Sequence, residues 1–150
     1  MQTLIIYCFG AFLGVIISWL FKTDNMLLTA AQFSIFISFL YTFMGRLIPA
    51  VRESLIQMVP AIFPFPKFIV YATGMIELLI AIGIFFPSTQ SIASIAGILI
   101  CIVLFPANIK AFKQNIHLGT KPPTNIYVRL FVQCLFIASF ILIAVFNCCF

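Results

Sequence analysis

Five long apolar stretches decide what this chain can fold into. They cover residues 3–21, 26–45, 68–86, 91–109 and 126–146, and contain only two charged residues, Glu77 and Arg129. Each stretch is close to the about 20 residues that an α-helix needs to cross the hydrocarbon core of a bilayer. Helices satisfy their own backbone hydrogen bonds, which lipid requires of a spanning segment. The sequence therefore predicts an all-α integral membrane protein with five transmembrane helices.

Composition supports the same class. The 150 residues are 64% hydrophobic and 7% charged, whereas a soluble domain carries roughly 25% charged residues. So few charges are not enough to cover a surface exposed to water. The length favours a single membrane domain that comprises residues 1–150. The lipid bilayer is thus the predicted partner. The net charge of +5 is better explained by membrane orientation than by nucleic acid, for which no site is predicted.

The connections predict an up-down helical bundle. About four residues join the first two stretches, and a similarly short turn joins the third to the fourth, which is typical of antiparallel helix hairpins. Residues 49–58 place Val51, Leu55 and Met58 at helical spacing among polar residues, which predicts a short amphipathic helix at the membrane interface. The proline-rich run at 60–66 predicts an extended connection. Thr124 or Asn125 is expected to cap the last helix.

The cations predict the orientation. With five spans, the loops at 46–67 and 110–125 lie on one side of the membrane, and nearly all of the basic residues lie with them. The positive-inside rule places these loops and the N-terminus in the cytoplasm and the C-terminus outside. We expect the bacterial inner membrane. The cations on this side are Arg46, Arg52, Lys67, Lys110, Lys113, Lys121 and Arg129, against Lys22 on the other.

Polar side chains inside the predicted spans indicate a buried cluster. Glu77 lies ten residues after Lys67, or roughly 15 Å deep at about 1.5 Å per residue. A carboxylate at that depth is costly unless it has a partner, a proton or a ligand. Arg129 is the expected ion-pair partner, and we expect polar neighbours from at least two other spans. The predicted cluster comprises Glu77, Asn108, Arg129 and Gln133, with Tyr71 within reach.

Two interpretations of this cluster remain open. Buried polar groups can fix the packing of helices without any further role, or they can bind a ligand, carry protons or support redox chemistry. Gly10 and Gly14 form a G-x-x-x-G pattern in the first span, which allows another helix to approach closely. Packing within the chain is the expected use of that pattern. No metal site is predicted, and the catalytic residues, if there are any, are not identified by a motif.

Four short stretches follow one another in the sequence from about residue 43 onward. They are Val59-Pro60 to Pro64-Phe65-Pro66, Val70-Tyr71-Ala72-Thr73-Gly74-Met75-Ile76-Glu77-Leu78, Leu104-Phe105-Pro106-Ala107-Asn108-Ile109 and Val128-Arg129-Leu130-Phe131-Val132-Gln133. In these stretches the chain resembles the DoxX and DoxX-like membrane proteins. That resemblance implies a four-helix bundle, formed here by the second to fifth spans, with the first helix as an addition.

The resemblance implies two kinds of function. Some DoxX-like proteins look like subunits of quinone-linked redox systems, and we expect this chain to bind a quinone or another lipophilic molecule in a polar pocket. In that pocket Glu77 and Arg129 would anchor a carbonyl group, while Asn108, Gln133 and Tyr71 would supply hydrogen bonds. The alternative is a non-catalytic assembly factor or complex subunit, in which the polar cluster is structural. A membrane-protein partner or a second copy of the chain fits either function.

Overall fold

A computed structural model describes residues 2–23, 25–60, 62–117 and 125–149. Within these ranges the chain forms six α-helices and no β-strand, and all of the helices except the third are long and apolar enough to span a membrane. The prediction of an all-helical protein with five candidate spans is confirmed. The helices are α1 (Gln2–Phe21), α2 (Met26–Leu47), α3 (Pro49–Met58), α4 (Pro66–Gly83), α5 (Pro87–Lys113) and α6 (Ile126–Cys149).

Four of the long helices form a ring. Helix α2 contacts α4 and α6, and α5 contacts the same two helices from the opposite side. The centre is filled by apolar side chains, among which Ile35, Phe140 and Ile143 have no exposed surface. The ring of Phe39 packs edge-on against Phe136, with 5.6 Å between the ring centroids, and edge-to-face packing of this kind is favourable for aromatic pairs. The four helices therefore pack against one another around an apolar core.

Helix α1 lies outside the ring, packed along α2. Gly10 and Gly14 face α2 so closely that an added Cβ atom would lie 2.7 Å from the Cα of Ser34 and 2.6 Å from the Cα of Ala30. Only glycine permits this backbone approach, which in lipid provides much of the packing energy between helices. The G-x-x-x-G pattern thus serves packing within the chain, as expected.

The observed helix bounds differ from the predicted spans at the prolines. Helix α4 begins at Pro66 and α5 at Pro87, because a helix loses no hydrogen bond when proline occupies its first turn. Helix α5 also continues through Pro106 to Lys113, four residues beyond the predicted end at residue 109. Polar residues can extend a helix past the hydrocarbon core, since water satisfies their side chains.

Helix α3 lies where the amphipathic pattern places it and covers one end of the ring. Met58 packs with Ala111 and Ile116 in a small apolar cluster beside α5. The following connection is not extended, which corrects the prediction for residues 60–66. The Phe63 N–H donates to the Pro60 carbonyl at 3.2 Å, and Phe65 adopts a left-handed conformation, because a turn is needed to reverse the chain into α4.

Asn125 caps α6. Its side-chain oxygen Oδ1 accepts a hydrogen bond from the Tyr127 backbone N–H at 3.1 Å, which satisfies one of the free donors in the first turn of the helix. Of the two predicted caps, Asn125 is therefore confirmed, and Thr124 lies outside the described residues.

We predict that Gly10→Ala weakens the packing of α1 on α2, because its methyl group would overlap backbone atoms that cannot move aside. Overpacking of this kind costs about 1–3 kcal/mol, measured as the free energy of unfolding in detergent. Gly45→Ala is the matched control, since its Cβ would meet only a Val51 methyl group at 3.7 Å. Equal stability of the two variants would contradict the close approach of α1 and α2.

Candidate functional site

Glu77 lies inside the ring of helices, as its position in an apolar stretch predicts. Its exposure is 4%, and Val70, Gly74, Ile80 and Ala81 are buried on the same helix. These residues recur every three or four positions, so that a single face of α4 is turned to the bundle interior. The carboxylate is thus withdrawn from both lipid and water.

Arg46 of α2 neutralises this carboxylate. The Arg46 Nη1 and Nη2 atoms donate to Glu77 Oε2 and Oε1 at 2.6 and 2.7 Å, and the Thr42 hydroxyl donates to Oε2 at 3.0 Å. Two parallel hydrogen bonds from a guanidinium to a carboxylate are short and strong because both groups are charged. Arg46, Thr42 and Glu77 are called the clamp below. They join α2 to α4 and satisfy both oxygens of the buried acid.

Gly74 makes room for the clamp. A Cβ atom at this position would lie 2.9 Å from the Arg46 Cδ and 3.3 Å from its Nε. The Arg46 side chain therefore runs directly over the backbone of α4, one turn before Glu77. The Gly-x-x-Glu spacing of α4 has a physical reason in this chain, because the glycine lets the arginine reach the acid.

The predicted ion pair between Glu77 and Arg129 is wrong, as is the prediction that the acid's partners come from two other spans. Side chains on a helix lean toward its N-terminus. Arg46 lies in the last turn of α2, so its side chain leans back along that helix and reaches Glu77. Arg129 lies in the first turn of α6 and instead bonds to Asn108 of α5.

On α2, Ser34, Ser38 and Thr42 recur every four residues and so share one face of the helix, and Arg46 continues the same spacing. This polar stripe is the sequence signal that could have identified Arg46. Taken alone, the position of Arg46 at the start of a basic loop predicts only that its side chain lies at the membrane interface.

A second polar group lies between α5 and α6. Arg129 Nη1 donates to Asn108 Oδ1 at 3.3 Å, and one turn further along α6 the Gln133 amide Nε2 donates to the Cys101 carbonyl oxygen. Asn108, Arg129 and Gln133 are called the α5–α6 polar group below. These predicted neighbours do assemble, although away from the carboxylate that was expected to hold them together.

Tyr71 lies outside both groups. Its side chain is 46% exposed, and its hydroxyl accepts a hydrogen bond from Arg52 Nη1 of α3 at 3.0 Å. A spacing of three residues would allow Tyr71 to share a face with Gly74. The buried face of α4, however, contains Val70, Gly74 and Glu77, and Tyr71 lies beside it. Tyr71 therefore ties α3 to α4 and does not extend the buried cluster.

Several buried polar atoms have no hydrogen-bond partner within the described ranges of the chain. Arg129 Nε and Gln133 Oε1 are inaccessible and make no hydrogen bond to any described residue. The same holds for Ser38 Oγ and Arg46 Nε. A buried polar atom left unsatisfied costs about 1–3 kcal/mol, and native structures contain few of them. The α5–α6 polar group thus offers one free donor and one free acceptor, one helical turn apart.

Cys101 lies between the two polar groups. It is buried on α5, its carbonyl accepts from Gln133, and its thiol lies within electrostatic range of the Glu77 carboxylate.

A groove of about 220 Å³ lies elsewhere, where Tyr7 and Ala11 of α1 face Leu135 and Ser139 of α6. Among the described residues, no three His, Cys, Asp or Glu side chains lie close enough together to hold a metal ion.

We predict that the clamp is strongly coupled. Glu77→Gln and Arg46→Gln should each lower the free energy of unfolding by about 3–5 kcal/mol, because each leaves an unpaired buried charge. The double variant should lose much less than the sum, since two amides can still bond to each other. A double-mutant cycle in detergent measures this, with the exposed Lys113→Gln as control. Additive losses would show that the pair is not coupled.

Comparisons with known proteins add a family. No curated protein and no solved structure matched the chain. A family described as a domain of unknown function (DUF8561) matches residues 37–144, which include the clamp, α3 and the α5–α6 polar group and leave out α1. Because this match covers more than half of the 150 residues, the chain belongs to the DUF8561 family.

Proposed function

We propose that this protein binds a quinone or a similar lipophilic molecule and so supports membrane redox chemistry. The observation that carries the proposal is the α5–α6 polar group, where Arg129 Nε and Gln133 Oε1 are buried and have no hydrogen-bond partner among the residues that the structure describes. A ligand whose oxygen accepts from Arg129 Nε and whose hydroxyl donates to Gln133 Oε1 would satisfy both atoms. An oxidised quinone offers carbonyl oxygens that only accept, whereas reduction by two electrons and two protons converts them to quinol hydroxyls, which both accept and donate. A bound quinone would supply the redox chemistry.

In this proposal the α5–α6 polar group would bind the ligand, and the clamp would hold the helices together. Arg129 would donate from Nε to a ligand oxygen while Asn108 keeps the guanidinium oriented through Nη1. Gln133 would accept from a ligand hydroxyl while its amide nitrogen stays bonded to the Cys101 carbonyl. The clamp would hold the helices and take no part in binding, because its carboxylate is already satisfied. This differs from the sequence-based expectation, which gave Glu77 a role in anchoring the ligand.

Membrane placement belongs to the same proposal. We propose a DoxX-like four-helix core made of α2, α4, α5 and α6, to which α1 is added. The protein would lie in a bacterial inner membrane with its N-terminus in the cytoplasm and its C-terminus outside. The support is the distribution of cations, since Arg52, Lys67, Lys110 and Lys113 all lie at the end of the bundle that α3 covers.

A non-catalytic subunit or assembly factor is the second candidate. The observation that favours it is the clamp itself, because the deepest acid of the bundle is fully neutralised by residues of the same chain. Polar groups that satisfy one another can fix helix packing and need no ligand. In this function the partner would be another membrane protein or a second copy.

We predict that a short-chain quinone stabilises the purified protein. Decylubiquinone and a short-chain naphthoquinone should each be added at rising concentration, with thermal unfolding as the readout. Stabilisation reaches about 2.7 kcal/mol when the free ligand is at 100 times its Kd. Arg129→Lys should weaken the affinity for the quinone at least tenfold (about 1.4 kcal/mol) and so reduce the stabilisation. Lysine keeps the positive charge but lacks the Nε donor.

Two controls separate the candidates. Lys113→Gln, at an exposed cation of the same end, should bind the quinone as the wild type does. Gln133→Leu should weaken binding of the reduced quinol more than binding of the oxidised quinone, since it removes the acceptor for a ligand hydroxyl. If neither quinone shifts the unfolding temperature of the wild type, the binding function is wrong and the subunit function is favoured.

A further inference from the structure

Ile62–Phe68, which comprises the turn before α4 and the first three residues of that helix, exposes several large apolar side chains. Four of its seven residues, Ile62, Phe63, Phe65 and Phe68, have exposed fractions of 83, 48, 77 and 72%. The clamp and the α5–α6 polar group do not use them. Ile62–Phe68 is called the aromatic turn below. Exposed apolar patches of this kind mark contact with a membrane or another protein.

Phe65 adds a second observation. Its φ and ψ are 62° and 59°, a left-handed conformation that disfavours every residue with a Cβ other than asparagine and aspartate. Its side chain is 77% exposed, so packing within the described part of the chain does not compensate for the strained backbone. A strained residue with an unpacked aromatic side chain points to a contact outside the chain.

Geometry places the aromatic turn at the edge of the bilayer. Helix α4 has 18 residues from Pro66, or roughly 27 Å at about 1.5 Å per residue, which nearly spans the ~30 Å core. Phe65 and Phe68 therefore flank the boundary where α4 leaves the hydrocarbon. Just before the turn, Lys110 Nζ donates to the Val59 carbonyl at 2.6 Å, which fixes the connection to α5.

The charges of this end complement an anionic lipid surface. Lys67 is exposed within the aromatic turn, and Lys113 is exposed at the end of α5. Across α3 and the following turn the only acid is Glu53. Aromatic side chains beside lysines are the usual anchors at the level of lipid headgroups, and each cation near the surface strengthens binding to anionic lipid.

We propose that the aromatic turn is a lipid-binding wedge. Ile62, Phe63, Phe65 and Phe68 insert below the headgroups of the adjacent leaflet, while Lys67 binds the phosphate groups of anionic lipids. The left-handed Phe65 turns its ring into the acyl region at the point where α4 enters the membrane. The occupant is therefore the bilayer interface itself, and the proposal does not depend on quinone binding.

Tryptophan fluorescence tests the wedge. Phe63→Trp is introduced together with Trp19→Phe, which removes the only native tryptophan, and the full chain is placed in nanodiscs of phosphatidylcholine with or without phosphatidylglycerol. Lipids brominated near the top of the acyl chain should quench the introduced indole strongly, and more so with phosphatidylglycerol. Lys67→Gln should remove the dependence on phosphatidylglycerol and leave the remaining quenching.

Variants of Phe65 provide the matched pair. Phe65→Asn keeps a residue that tolerates the left-handed backbone and removes the apolar ring, so quenching of the introduced indole should fall. Phe65→Leu keeps an apolar side chain and should retain more of the quenching. The wedge is overturned if that indole is quenched by aqueous iodide instead of brominated lipid. It is also overturned if the indole escapes both quenchers because a second copy covers it, which crosslinking of the purified protein would reveal.

Discussion

The ion pair between Arg46 and Glu77 sets how α2 and α4 can pack. Side-chain exposures of 9 and 6% put both charges out of reach of water. In such surroundings an unpaired charge is very costly, so the two helices must keep the register in which the guanidinium faces both carboxylate oxygens. Gly74 and Thr42 follow from this requirement, the first by admitting the arginine and the second by completing the hydrogen bonds.

Because residues of α2 satisfy the Glu77 carboxylate, the polar residues of α5 and α6 are not needed to neutralise it. Helices α5 and α6 carry polar residues that are only partly matched to one another, with Arg129 lacking a carboxylate partner among the described residues. A tightly matched pair and a loosely matched group within one small bundle suit different purposes. Rigid packing needs complete satisfaction, whereas binding needs donors and acceptors that are left for another molecule.

Several contacts within the chain hold together the end of the bundle near α3. Helix α3 covers the ring through Met58, Arg52 bonds to Tyr71, and Lys110 holds the Val59 carbonyl. These contacts fix the position of the aromatic turn relative to the spanning helices. The strained backbone of Phe65 has no such support from its own side chain, which is 77% exposed, and the proposed contact of its ring with lipid would supply that support from outside the chain.

The sequence by itself determined the five candidate spans, the amphipathic α3, the use of Gly10 and Gly14 and the burial of Glu77, because hydropathy and helical spacing are local properties. It also identified Asn108, Arg129 and Gln133 as polar neighbours. Only the tertiary structure decided the partner of Glu77. That choice depends on the direction of two arginine side chains and on the space left by Gly74, and both are set by how α2, α4 and α6 pack against one another.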